Sequence, residues 1–232
     1  TDSLDDQIHI SYHPSLSAHH NLVTNQSDKT LSLTDKKLSE TPFLSSGIGG
    51  ILHIASGYSR RFEEVILQVP KGRSLKGINV SANRGQTTII NASLENATLN
   101  TNSYLLRIEG SRIKNSKLTT PNIVNIFDTD LTDSQLESTE HHFHAENIKV
   151  YGKVELSSKN ALSIMLTQKE SQEINLDLSS HHGPIYQLSR DESQRHPNEL
   201  SNPYKTEKTD AKGQLIAKAD DYISLETTAN RP

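Results

Sequence analysis

Three segments, LENATLNT (Leu94–Thr101), IKNSKLTT (Ile113–Thr120) and LTDSQLES (Leu131–Ser138), carry one pattern: apolar, polar, Asn or Asp, Ala or Ser, polar, Leu, polar, Thr or Ser. Outward from them, the leading apolar position recurs at Leu75, Leu94, Ile113, Leu131 and Ile148, at intervals of 19, 19, 18 and 17 residues. A second column holds Val80, Leu99, Leu118, Leu136 and Val154, and a third holds Ile89, Ile108, Ile126 and Phe143. Three columns in one register define a repeat from about Leu75 to Leu166. A period of 17–19 residues is too short for two helices and a turn, but it suits one coil of a β-solenoid. Inside each unit the apolar residues alternate, as in Ile78 and Val80 or Leu106 and Ile108, which marks strands with one buried face. Asn83-Arg84-Gly85 and Asn100-Thr101-Asn102 supply residues that tolerate the left-handed backbone of a tight corner. The expected fold is all-β: a single-stranded β-helix-like stack of short strands, with Leu118 buried between Leu99 and Leu136 and rungs ~4.8 Å apart.

This reading accounts for the composition. Apolar residues make up 32% of the 232 residues and aromatics 5%, where an ordinary domain is about half apolar. One rung cannot bury its apolar face alone, but a stack builds a continuous core from few such residues. A net charge of −4 argues against a basic nucleic-acid binder. With no cysteine, a disulfide scaffold, a thiol nucleophile and a Cys-ligated zinc are excluded. No apolar run approaches the roughly 18 residues that span a bilayer. The chain starts at Thr1 rather than Met, as would a piece cut from a longer precursor, which leaves room for a signal or membrane anchor before Thr1.

The flanks also read as strands, so one domain is expected over 1–232. It comprises N-terminal strands in 1–70, regular rungs in 71–167 and C-terminal strands in 168–232. N-terminal candidates are Ile8–Ile10, Leu31–Leu33, Ile51–Ile54 and Val65–Val69; C-terminal ones are Ile174–Leu178, Pro184–Tyr186, Leu215–Ala217 and Tyr222–Leu225. The last two form a closing strand pair. Ser45–Gly50 is a flexible loop and no phosphate loop, because no Lys-Ser or Lys-Thr follows it. Helix is nearly absent, with one turn expected at Ser59–Glu64. Ser189–Gly213 is polar, carries Pro197 and Pro203, and is expected to be a long loop near 189–213.

The run VPKGRSLKGINVSANRGQTTIINASLENATLNTN (Val69–Asn102), the opening IHISYH (Ile8–His13) and the close GQLIAKADDYISLE (Gly213–Glu226) resemble the adhesin family of bacterial β-strand-repeat proteins, a domain of unknown function. The resemblance covers nearly the whole chain and is most specific in its middle third. It implies a β-helix-like fold in an extracytoplasmic protein, at the cell surface or anchored to the membrane of the bacterial envelope. The family's recurring Gly-Asp turn is replaced here by Gly85-Gln86 and Ser103-Tyr104. No catalytic residues are established for the family, so none carries over.

Eleven histidines are the compositional excess, densest at Glu140-His141-His142-Phe143-His144. With Phe143 inward, His142 and His144 point outward, and Glu140 shares their face by parity. These three could contribute to a metal site, which needs three or four converging ligands. A polar, titrating outer face is the simpler reading, so no metal, cofactor or catalytic site is assigned. His19-His20 and His181-His182 lie in loops, where adjacent side chains are expected to point apart. Asp128, Asp130 and Asp133 form the close carboxylate group of the repeats, with no Arg or Lys column expected beside them. No nucleophile elbow or zinc-protease motif occurs. Asn91-Ala92-Ser93 and Asn96-Ala97-Thr98 match the glycosylation pattern, yet belong to the repeat.

The function expected is a non-catalytic envelope scaffold of adhesin type, whose outward Asn96, Lys114, Lys117, Asp133 and Gln135 present a polar face to a protein or glycan partner. Strand edges at the ends of the stack are expected to be open to pairing. Two alternatives stand beside it: a β-helix enzyme or binder acting on glycans, and an envelope-stress sensor that contacts another protein. Few aromatics, with no Trp, disfavour the glycan enzyme.

Overall fold

The computed structural model describes residues 9–12, 20–25, 30–35, 65–68, 75–80, 86–101, 103–189 and 197–228. Its contacts divide the chain into two compact units, residues 2–71 and 72–232. In the first, β1 (His9–Tyr12) pairs antiparallel with β4 (Val65–Gln68), and β2 (His20–Asn25) pairs antiparallel with β3 (Thr30–Asp35). The strand expected at Ile51–Ile54, the loop at Ser45–Gly50 and the turn at Ser59–Glu64 lie outside the described residues.

The second unit is a stack of parallel strands in two sheets. It opens with β5 (Leu75–Val80) and β6 (Gln86–Ile90), which pair with β7 (Ser93–Thr101) and β8 (Leu105–Glu109). Next come β9 (Arg112–Lys114), β10 (Lys117–Thr120) and β11 (Ile123–Phe127), then β12 (Asp130–Thr132), β13 (Gln135–Ser138) and β14 (Phe143–Glu146). The regular part ends with β15 (Lys149–Ser158) and β16 (Leu162–Thr167). Each rung contributes one strand to each sheet, and in two rungs the first of these is split by the bend into β9 and β10 or β12 and β13.

Leu94, Ile113 and Leu131 stack as expected, as do Leu99, Leu118 and Leu136, and Ile89, Ile108 and Ile126. Nearly all are fully buried; Leu118 is 1% exposed. At the ends of the columns the expected register is off by two residues. Val150 rather than Ile148 sits on Leu131, Leu156 rather than Val154 on Leu136, and Ala145 rather than Phe143 on Ile126. At the other end Ile78 rather than Val80 lies against Leu99. A shift of two preserves strand parity; on β14 and from Ile148 through β15 both the expected and the actual residue are buried, and apolar periodicity cannot choose between them. The backbone chooses. A β-bulge between Leu75 and Gly77 displaces the first rung; an extra residue in the turn between Ser138 and Phe143 sets the register of β14 and of the start of β15, and a further one at Gly152-Lys153 lengthens the fifth rung.

The Asn/Asp position of the repeat is a corner. Asn96, Asn115 and Asp133 have φ of 50°, 47° and 46°, and Gly152 continues their column at 61°. Asn91, Gly110, Asp128 and Asn147 make a second left-handed column at the turn between rungs. Short polar side chains are the L-residues that enter this region at least cost. Where Ser or Thr follows a corner, it turns inward. Ser116 Oγ donates to the Lys114 carbonyl at 2.6 Å and accepts from the Ala97 N–H of the rung before at 3.0 Å. Ser134 repeats this with the Thr132 carbonyl and the Ser116 N–H, and Ser111 and Thr129 do so at the other corner. The Asn/Asp-Ala/Ser dipeptide therefore bends the chain and satisfies the amides that the bend removes from the ladder.

After β16 comes the one described helix, α1 (Gln168–Glu173), with a capping box in which Thr167 and Glu170 bond each other's backbone N–H. Then follow β17 (Ile174–Ser180), β18 (Ile185–Ser189), β19 (Asn198–Leu200), β20 (Tyr204–Lys205), β21 (Gly213–Ala219) and β22 (Ile223–Thr228). Spatial order departs from chain order. β21 lies between β15 and β17, parallel to both, and β22 lies between β16 and β18. The closing strand pair is thus an interior rung.

The expectation of a long loop over 189–213 is corrected where that stretch is described. β19 pairs antiparallel with the outer edge of β18, and β20 with that of β17, so this end of the stack is covered and not open. The segment is held by side-chain bonds that leave no apolar signature. Asn175 brackets Lys208 through both its backbone N–H and C=O, Thr206 Oγ1 accepts from the Leu176 N–H at 2.9 Å, and Asn202 bonds both the N–H and C=O of Ser180. Lys208 Nζ donates to the carbonyls of Ser171 and Ile174, closing the C-terminal end of α1. Burial pushes that ammonium below the usual lysine range.

Candidate functional site

The left-handed column at the bend turns one face of the sheet concave. Asn96, Asn115 and Asp133 stand along one side, one rung apart. Thr98, Lys117, Gln135 and Glu155, paired in register across successive rungs, stand along the other. The groove between them measures about 540 Å³. It shares Lys153 with a second groove of about 550 Å³, lined by Asn175, Asp177, Lys205, Gly213 and Gln214 among others. Together they form one polar trench that runs parallel to the stack.

Two lysines of the trench are ion-paired. Lys153 Nζ lies 2.7 Å from Glu155 Oε1, and Lys205 Nζ lies 3.0 Å from Asp177 Oδ2. The hydrogen bond from Lys153, with its charge, holds the Glu155 carboxyl below the usual carboxylate range against an opposing cost of burial. Glu173, at 2.9 Å from Lys212 beside the trench, is lowered in the same way. Asp133 is occupied structurally: its Oδ1 accepts the Lys153 N–H at 3.0 Å, anchoring the extra residue of the fifth rung.

That carboxylate explains Gly152. A Cβ there would overlap the Asp133 side chain, at a positive φ that L-residues avoid. Gly152→Ala is expected to destabilise the protein by about 2 kcal/mol, read from the urea unfolding midpoint. Adding Asp133→Gly should recover part of the loss. A Gly152→Ala protein as stable as the parent would remove this account of the bend.

Of the outward residues singled out by sequence, Asn96, Lys117, Asp133 and Gln135 meet in the trench. Lys114 does not; it pairs with Glu95 of the preceding rung at 3.0 Å on the outer face of the first strand segment. Asn115, Lys153, Glu155 and Asn175 also belong to the trench and were not singled out. Asn115 was visible in principle, since it shares the column of Asn96 and Asp133.

The histidine candidates do not converge. His142 is exposed just before β14. His144 lies on the outer face of β14, 3.7 Å from Glu146, with its ring 5.6 Å from that of Phe127. Glu140 is exposed, and its carbonyl accepts from Asn160. Among the described residues no group of three or more His, Asp or Glu is placed to hold a metal ion. His181 and His182, expected to diverge, instead meet: Nδ1 of one is 2.8 Å from Nε2 of the other. Their N–H groups bond the carbonyls of Ala219 and Asp220, and the turn this imposes lacks the alternation of a strand. Asp128 occupies the second corner column, where Asn147 Nδ2 donates to it at 2.6 Å. Asp130 lies on β12 between Arg112 at 3.9 Å and Lys149 at 3.7 Å, so the expectation of no basic column beside these carboxylates is also corrected. The basic residues arise from different rungs and align only through stacking.

Comparisons with curated proteins and with solved structures returned no match. Over residues 1–226 the sequence fits the family model described as Toastrack DUF4097, and a chain whose repeats stack in this way belongs to that family of β-rich domains of unknown function.

Proposed function

We propose that this domain is a non-catalytic scaffold of the bacterial cell envelope, extracytoplasmic and adhesin-like, that works by presenting a polar face to a protein or glycan partner. The observation that carries this reading is the pairing of outward charges along the stack. Arg112, Asp130 and Lys149 alternate in register on three successive rungs, and Lys114 reaches back to Glu95. A catalytic pair needs titratable groups in different environments, so that one is held as acid and the other as base. Here Glu95, Asp130, Glu155 and Asp177 are each paired with a lysine or arginine, which suits a surface that is recognised and not one that reacts. The resemblance to envelope β-strand-repeat proteins supports the location.

The test is incubation of the purified protein with cell-wall polysaccharides and envelope proteins, with retention and product release followed separately. Retention without new reducing ends is the expected result. Depolymerisation that disappears in an Asp128→Asn, Asp130→Asn variant would overturn the scaffold reading.

A further inference from the structure

We propose that the trench along the bend binds a segment of a neutral, linear glycan whose axis lies parallel to the stack. This inference rests on the binding-surface reading above and assigns it a place and a ligand chemistry. The trench crosses six rungs, from that of Asn96 to that of Asn175. Five steps of ~4.8 Å make it roughly 24 Å long, enough for about five sugar rings.

Three features select the ligand. First, the walls repeat at the rung spacing, close to the advance of one pyranose ring in an extended chain. An extended peptide repeats its side chains every ~6.8 Å and falls out of step within two rungs. Second, Asn96, Asn115, Gln135 and Gln214 bring amides to the trench, each able to donate and accept at once. Sugar hydroxyls have the same dual character, so either partner can take either role. Third, the trench is electrically balanced. Lys153 and Lys205 are paired with Glu155 and Asp177, so a polyanion would meet carboxylates and a polycation would meet ammoniums. Gly152 and Gly213 keep two adjacent rungs clear of side chains at the centre of the trench. The lining residues include no aromatic platform, so affinity should be modest and should grow with chain length.

The probes are β-1,4-linked pentamers and dimers of glucose and of N-acetylglucosamine, titrated into the whole chain and followed by amide NMR shifts. Shifts are expected at residues 96–98, 115–117 and 133–135, with at least one pentamer binding more tightly than its dimer. Glycine accepts the left-handed corner without strain, so Asn96→Gly, Asn115→Gly removes two amides and keeps the bend. That variant should bind roughly tenfold more weakly, as expected for one or two lost hydrogen bonds. Asn91→Gly, the same change in the other left-handed column, should bind like the parent. No shift with either pentamer would overturn the proposal, as would equal weakening by Asn91→Gly or preference for an oligogalacturonate of equal length. Those outcomes would leave the scaffold reading intact. Cleavage of a pentamer would overturn the scaffold reading instead.

Discussion

Removing residues 213–232 is expected to unfold the C-terminal part of the stack, and not merely to shorten it. β21 and β22 occupy an interior position, each with a parallel neighbour on both sides. Leu215 and Ile223 are 0% exposed and Leu225 is 3% exposed. Three such side chains contribute about 5–9 kcal/mol by burial alone, comparable with the whole stability of an ordinary domain. Their loss would open a one-rung gap between β15–β16 and β17–β18. Hydrogen exchange should show the amides of Ile174–Ser180 and Ile185–Ser189 losing protection, with those around Leu99 and Leu118 retaining theirs. Full protection of Ile174–Ser180 in the shortened chain would mean that β17 closes directly onto β15, and would deny the inserted rung its structural role.

Leu118→Ala is expected to cost about 2–5 kcal/mol, through lost burial and the cavity left between Leu99 and Leu136. The neighbouring Lys117 is exposed, and Lys117→Ala should stay within about 0.5 kcal/mol of the parent. Urea unfolding of the two variants side by side makes the comparison. Equal, small effects would contradict the stacked-rung arrangement. The same pair also separates stability from binding: Lys117 lines the trench, so its replacement can alter ligand affinity in a protein of unchanged stability.

Where several rungs share length and residue types, the fold was legible. The segments from Leu94, Ile113 and Leu131 align because a strand segment, a left-handed corner and an inward Ser recur together, and each leaves its own mark on residue choice. Legibility faded where a rung departs from that length. Ile148 and Val150 are both apolar and both inward, so only the extra residue in the turn before Phe143 decides which one meets Leu131. The trench was half visible. Its Asn/Asp wall is part of the repeat, but the ladder that aligns Lys117 with Gln135 and Glu155 depends on register that includes the extra residue.

Periodicity by itself determined the all-β stack, its buried columns and its Asn/Asp corners, because each follows from local chemistry repeated at a nearly constant interval. Tertiary structure alone decided that the last strands of the chain become an interior rung, and that β19 and β20 cover the edges beyond it. The physical reason is that parallel rungs of this kind are interchangeable by pattern. Ile174-Asn175-Leu176-Asp177-Leu178 and Gly213-Gln214-Leu215-Ile216-Ala217 both offer inward apolar residues at alternate positions, so either could follow β15. The choice between them rests on contacts distant in sequence, among them the Asn175 bracket on Lys208 and the Lys208 ammonium at the end of α1, which no local pattern encodes.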